Sequence, residues 1–348
     1  MSDSGTLSAL IEEANFKLRW FDLGRRLQSV SKSTAAAFEA GLAPWPHPYL
    51  RQAWTGLLLQ PAEGGEPIIW FLRFPLDEQG KLQLQARDGL LRSLAQELQQ
   101  TSASESAAQL DQLLQQSGLL FTPSTERQAA FHAQTSLLLA RPPSEHYQPV
   151  LRYVGNPKTH RWDNLAFQGI ADLTARWEKE SALLLRQMNK IAAPVFISLC
   201  HCLENQPIDH RLAAAVISRT ETEFAEETPD LSVVAATVRA ISHSPASGLR
   251  HTFLHSLLLT DDTCQNSEIL AAIGSRCVLD LEDPELARLW LSGLASAASQ
   301  PNFNLLLSDL MFIPQIRATL LGALRDPTRK ESLAIAFGNF LHGTKATH

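Results

Sequence analysis

Five prolines set the frame for this chain. Pro157, Pro207, Pro245, Pro284 and Pro327 each precede a basic residue by a few positions and then an apolar, helix-spaced run. The followers are Arg161, Arg211, Arg250, Arg288 and the pair Arg329–Lys330. The last four prolines lie 38, 39 and 43 residues apart. Proline is tolerated in the first turn of a helix, where its missing N–H would have no partner. An Asp or Ser before it can cap the exposed amides. A period near 40 leaves room for two helices and two turns. One such pair cannot bury its own apolar face, so neighbours must stack.

The Asp-Pro-Glu-Leu-Ala-Arg run at 283–288, with its weaker echoes, resembles a HEAT-type helical repeat. The resemblance covers about residues 156 to 341 and implies an α-solenoid. The offset of the Arg slips at Pro245, and the first interval is 50. Over its whole length the chain also resembles a bacterial family of about 340 residues with no assigned function. That likeness brings no catalytic residue to transfer.

Upstream of the repeats the pattern changes. Phe16, Trp20, Leu23, Leu27 and Val30 are spaced four, three, four, three, which predicts a helix. Its stripe would face a core, or a second helix in a homodimer. Pro44, Pro46 and Pro48 then break any helix. The runs 54–59 and 68–72 read as strands of a hairpin across Gly64–Gly65. Leu82-Gln83-Leu84-Gln85 alternates with period two and predicts a third strand. Leu91, Leu94 and Leu98 mark a helix to cover that sheet.

The expected organisation is mainly α. A small α+β domain with a three-stranded antiparallel meander occupies 1–100. A linker with a short helix, opening on the polar run Thr101–Ser106, follows over 101–123, and a helical repeat domain fills 124–348.

Composition narrows the function classes. With 45% apolar and 19% charged residues the chain is of the folded class. A net charge of −6 weighs against general nucleic-acid binding. No basic leader is visible and no apolar run reaches the roughly 18 residues of a membrane span. Cys200, Cys202, Cys264 and Cys277 read as reduced thiols in helices. These features predict a cytoplasmic protein.

No nucleotide loop, zinc-protease helix, calcium loop or nucleophile elbow occurs. No cofactor is implied, and catalysis is disfavoured. The leading expectation is a scaffold or adaptor that binds another protein or a peptide. Its candidate binding residues are Trp45, Trp54 and Trp70, which form an aromatic cluster, with Arg161, Arg211, Arg250 and Arg288 in the repeats. The plainer reading of the tryptophans is a small core. That of the arginines is pairing with an acid of the next repeat. A second expectation is a metal-dependent enzyme or regulator using His251 and His255, four apart on one helix face. A third is nucleic-acid binding through the basic repeat positions.

Overall fold

A computed structural model describes residues 5–100 and 114–343, without the side chains of 97–100. The expected linker run 101–106 and the side chain of Leu98 lie outside the described residues. The chain divides into two compact units, Met1–Arg127 and Gln128–His348.

The first unit is built on a four-stranded antiparallel sheet, in the order β2-β1-β3-β4. The strands are β1 (Phe16–Asp22), β2 (Gln28–Val30), β3 (Gln52–Pro61) and β4 (Ile68–Pro75). The expected helix over 16–30 is therefore corrected to two strands. Phe16-Lys17-Leu18-Arg19-Trp20 also alternates with period two. Lys17 and Arg19 are exposed while Trp20 is buried. Phe16 and Trp20, four apart, fit both periods. The long neighbouring strand β3 decides between them by pairing with β1 along its whole length.

The expected hairpin 54–59/68–72 is present, with Leu57 opposite Trp70 and Leu58 opposite Ile69. The expected third strand at 82–85 is corrected. Leu82 makes one bridge to Leu76, and the chain then enters the helix Leu84–Gln100. Leu90, Leu91 and Leu94 are buried on that helix. Burying such a stripe outweighs a four-residue alternation with no strand to pair against.

One face of the sheet carries Trp20, Leu57, Trp70, Leu72 and Phe74, all buried. The helices Leu7–Glu13 and Lys32–Glu39 belong to this unit, and each is N-capped by a side chain: Thr6 accepts from the Ala9 amide and Ser31 from the Thr34 amide. Phe38 supplies a ring 4.8 Å from that of Trp45.

The second unit is helical among its described residues. Its capping follows the chemistry expected at several starts. Asp209 accepts from the Leu212 amide at 2.8 Å. Asn266 accepts from Glu268 and Ile269 at 3.0 Å, and Asp283 from Glu285 and Leu286 at 2.9 Å. Of the five frame prolines only Pro284 lies inside the first turn of a helix. Pro207 and Pro245 stand just ahead of the helices His210–Phe224 and Ser247–Leu259, and Pro327 ahead of Glu331–Gly343. Pro157 starts no helix. It lies in the loop between Tyr147–Gly155 and Phe167–Ala175.

Helix Ala193–Leu203 packs on Leu231–Ile241, which packs on Ser267–Arg276. Ser247–Leu259 packs on Pro284–Ala297, which packs on Pro314–Arg325 and on Glu331–Gly343. One apolar core runs from Ala129 to Ala336. Two glycines permit close crossings. A Cβ on Gly274 would lie 2.6 Å from the Trp290 ring, and one on Gly293 would lie 2.3 Å from the Cys264 carbonyl. Among the described residues no helix is long and apolar enough to cross a membrane.

Candidate functional site

The residues singled out by sequence fall in separate places. Trp45 is 2% exposed and Trp70 3%, so both are core. Trp45 Nε1 donates to Asp22 Oδ1 at 3.0 Å. Trp54 is half-buried on the opposite face of the sheet. It donates to the Tyr49 carbonyl and meets Phe121 edge-on at 4.8 Å, and the Arg73 guanidinium lies over its ring. The three tryptophans do not form one exposed platform.

The arginines are likewise dispersed. Arg161 is paired with Asp163 two residues on. Arg211 is exposed. Arg250 Nε contacts both carboxylate oxygens of Asp280 at 2.8 Å, a partner 30 residues on. Arg288 is exposed and lies 3.8 Å from Glu285.

His251 and His255 stack with ring centroids 6.2 Å apart. Each faces an acid at 3.5 Å, Asp283 and Glu285 respectively. Among the described residues no group of three His, Cys, Asp or Glu is placed to hold a metal ion. Beyond Glu285 and Arg288 an open cleft of about 500 Å³ continues to Thr319, Gly322, Ala323 and Asp326.

A second cleft, of about 180 Å³, opens where three helices lie side by side. Helix Leu231–Ile241 lines it with Ser232, Ala235, Ala236 and Arg239, at offsets 0, 3, 4 and 7. Helix Ser267–Arg276 lines it with Glu268, Ala271, Ala272 and Ser275, the same offsets 36 residues later. Ile197 and His201 contribute from helix Ala193–Leu203. Offsets of 3, 4 and 7 put four side chains on one face of a helix. Alanine and serine at those places keep the helices close and the cleft narrow.

Arg239, which lines this cleft, belongs to an ionic triad. Glu204, just past the end of its helix, is 3% exposed. Its Oε2 accepts from Arg239 Nε at 2.7 Å and from Arg276 Nε at 2.9 Å. Burial would raise its pKa. Arg276 and Arg239 override that and hold the carboxyl down at about 2. The triad joins three successive helices of one row and was not among the residues expected from sequence.

The first unit holds another buried acid. Asp22 is fully buried, and burial pushes its carboxyl up to about 7 against the Trp45 and Gly24 hydrogen bonds, which lower it. Its Oδ2 has no hydrogen-bond partner. Glu39 is buried too and its pKa is raised by desolvation. It accepts from the amide and the hydroxyl of Ser8.

The structure thus defines a mainly helical protein with a small N-terminal antiparallel sheet, and with clefts on its helical unit. The chain belongs to the family described as a protein of unknown function, DUF3549, which matches residues 3–341. Neither the curated proteins nor the solved structures contain a match.

Proposed function

We propose that this is a non-enzymatic interaction protein whose helical unit is a HEAT-like helix-pair array. In this reading it is a bacterial, cytoplasmic scaffold or adaptor, and its partner is another protein or a peptide. The observation that carries the reading is the 180 Å³ cleft, which two successive helices line with residues at the same four offsets. Helix rows that repeat a face at a fixed interval make extended concave binding surfaces in solenoid proteins. Arg250–Asp280 supports the array, since it links positions one helix pair apart. The four free cysteines suit a reducing compartment.

The test is affinity capture of tagged full-length protein from its native cells, beside an Ala271→Phe variant that fills the cleft. The expected result is a stoichiometric protein partner, at least tenfold depleted with A271F while circular dichroism stays unchanged. A partner retained in full by A271F would move the binding face elsewhere. A chain that captures nothing and turns over a small molecule would overturn the reading.

A further inference from the structure

The helix Glu331–Gly343 packs on Pro284–Ala297, Gln300–Met311 and Pro314–Arg325, and Leu333 and Ala336 are buried on its inner side. Its outer side is not the polar face that a surface helix ordinarily shows. Ile335 stands there, 57% exposed. Gly338, three residues on, is partly exposed, and a Cβ built on it would meet nothing within 4 Å. Ala334, one turn before Gly338, is also partly exposed, and its small side chain keeps that notch wide. Glu331 and His342, both exposed, close the face at its two ends.

Glu331, Ile335, Gly338 and His342 are spaced four, three, four, which lines them up on one face of the helix. That spacing reads the same in both directions. The chemistry along it does not: it runs acid, large, small, imidazole. Against a second copy running the opposite way, the row complements itself. Each Ile335 meets the Gly338 notch of the other copy. Each Glu331 meets an imidazole, His342, which has an N–H to donate whether or not it is charged. The two isoleucines then lie side by side, about 4.5 Å apart along the axis. A parallel pairing sets acid on acid and notch on notch, which adds repulsion and leaves holes. An unrelated apolar partner would use Ile335 but would gain nothing from the order of the other three.

We propose that the outer face of helix Glu331–Gly343 is a homodimer seam, formed antiparallel with the same helix of a second copy about a two-fold axis. Knob against notch is how packed helices interdigitate. The helix is about 20 Å long, so the seam is smaller than the roughly 1,200–2,000 Å² of stable complexes. The dimer is therefore weak and concentration-dependent, with a dissociation constant of about 100 µM or tighter. None of the four residues lines the 180 Å³ cleft, so this dimer and the capture of another protein there are independent.

Sedimentation equilibrium of the full chain, from about 10 to about 500 µM, tests this. The expected result is a monomer–dimer equilibrium with no larger species, as a closed two-fold seam requires. Ile335→Glu, at an exposed position, is expected to weaken the dimer at least tenfold with circular dichroism unchanged. Gly338→Leu separates a notch from a merely sticky face. Leucine favours the helix itself, and added apolar surface strengthens nonspecific association, whereas a filled notch weakens the dimer, here by at least fivefold. Glu331→His and His342→Glu are each expected to weaken it about threefold, since each removes a pair that occurs twice per dimer. The double variant again sets an acid opposite an imidazole, and is expected to return to within about twofold of the wild type.

A chain that stays monomeric at about 500 µM overturns the proposal. So does a dimer that Ile335→Glu leaves intact, one that Gly338→Leu tightens, or a double variant weaker than both single ones. Should I335E misfold, the G338L and double-variant arms still decide.

Discussion

At the scale of residues, the buried acids divide by their partners. Glu204 has two guanidinium groups hydrogen-bonded to it and stays ionised, whereas the hydrogen-bond donors to Asp22 are neutral, burial outweighs them and the Arg127 charge, and one oxygen is orphaned. Their effects on stability therefore have opposite signs. The folded pKa of Asp22, about 7, lies above the ordinary 3.8. The folded chain keeps a proton that the unfolded chain has lost, so this contribution is fully present below about 3.8 and is lost as pH rises to 7. Asp22→Asn is expected to remove that loss. In urea denaturation the variant should gain roughly 2–4 kcal/mol on the wild type between pH 4 and pH 8. An unchanged difference across that range would mean that Asp22 titrates normally.

The folded pKa of Glu204, about 2, lies below the ordinary 4.5. Its stabilisation is present above 4.5 and is lost as pH falls through 2. Glu204→Gln leaves two guanidinium groups buried on a neutral amide, and breaking a buried pair from one side costs about 3–5 kcal/mol. Chemical denaturation at pH 7 checks the size. A cost under about 1 kcal/mol would show that Arg239 and Arg276 turn to water without it.

At the scale of elements, periodicity was ambiguous where it was short. Phe16–Val30 satisfies a helical stripe, and its first half alternates as well. The error came from choosing the longer period, and pairing with β3 settled it. The hairpin was legible because two β-rich runs flank a Gly-Gly turn, with Gly64 and Gly65 both at positive φ. Helix starts were legible where chemistry is local, as at Asp283–Pro284. Pro157 showed the limit, since a proline in a loop looks the same in sequence as one at a helix start.

Close crossings were not legible, because Gly274 and its neighbour Trp290 are 16 residues apart in the chain. Gly274→Ala should push its methyl into that ring and cost about 1–3 kcal/mol, read as a lower denaturation midpoint. Trp290 Nε1, which donates to the Leu270 carbonyl at 2.9 Å, cannot swing away without losing its partner. A midpoint equal to that of the wild type would show that the helices separate freely.

At the scale of the whole molecule, the class was readable from the chain: mainly helical, with a small antiparallel sheet first and helices after. The apolar fraction, the proline frame and the capping residues act locally, and local forces leave local marks in sequence. The site was not readable in that way. Trp45 and Trp70 read either as a binding platform or, more plainly, as a small core, and packing placed both in the core. The Glu204–Arg239–Arg276 triad left one faint signal, the stripe of 232, 235, 236 and 239 repeated at 268, 271, 272 and 275. An interval of 36 was hidden behind prolines spaced 38 to 43. Even that stripe does not say which residues face inward. Composition and spacing decide which segments become helices and which cannot cross a membrane as one. Only tertiary packing decides which side chains lose water, and it brought an ordinary Glu and two ordinary Arg from separate helices into one ion-paired cluster.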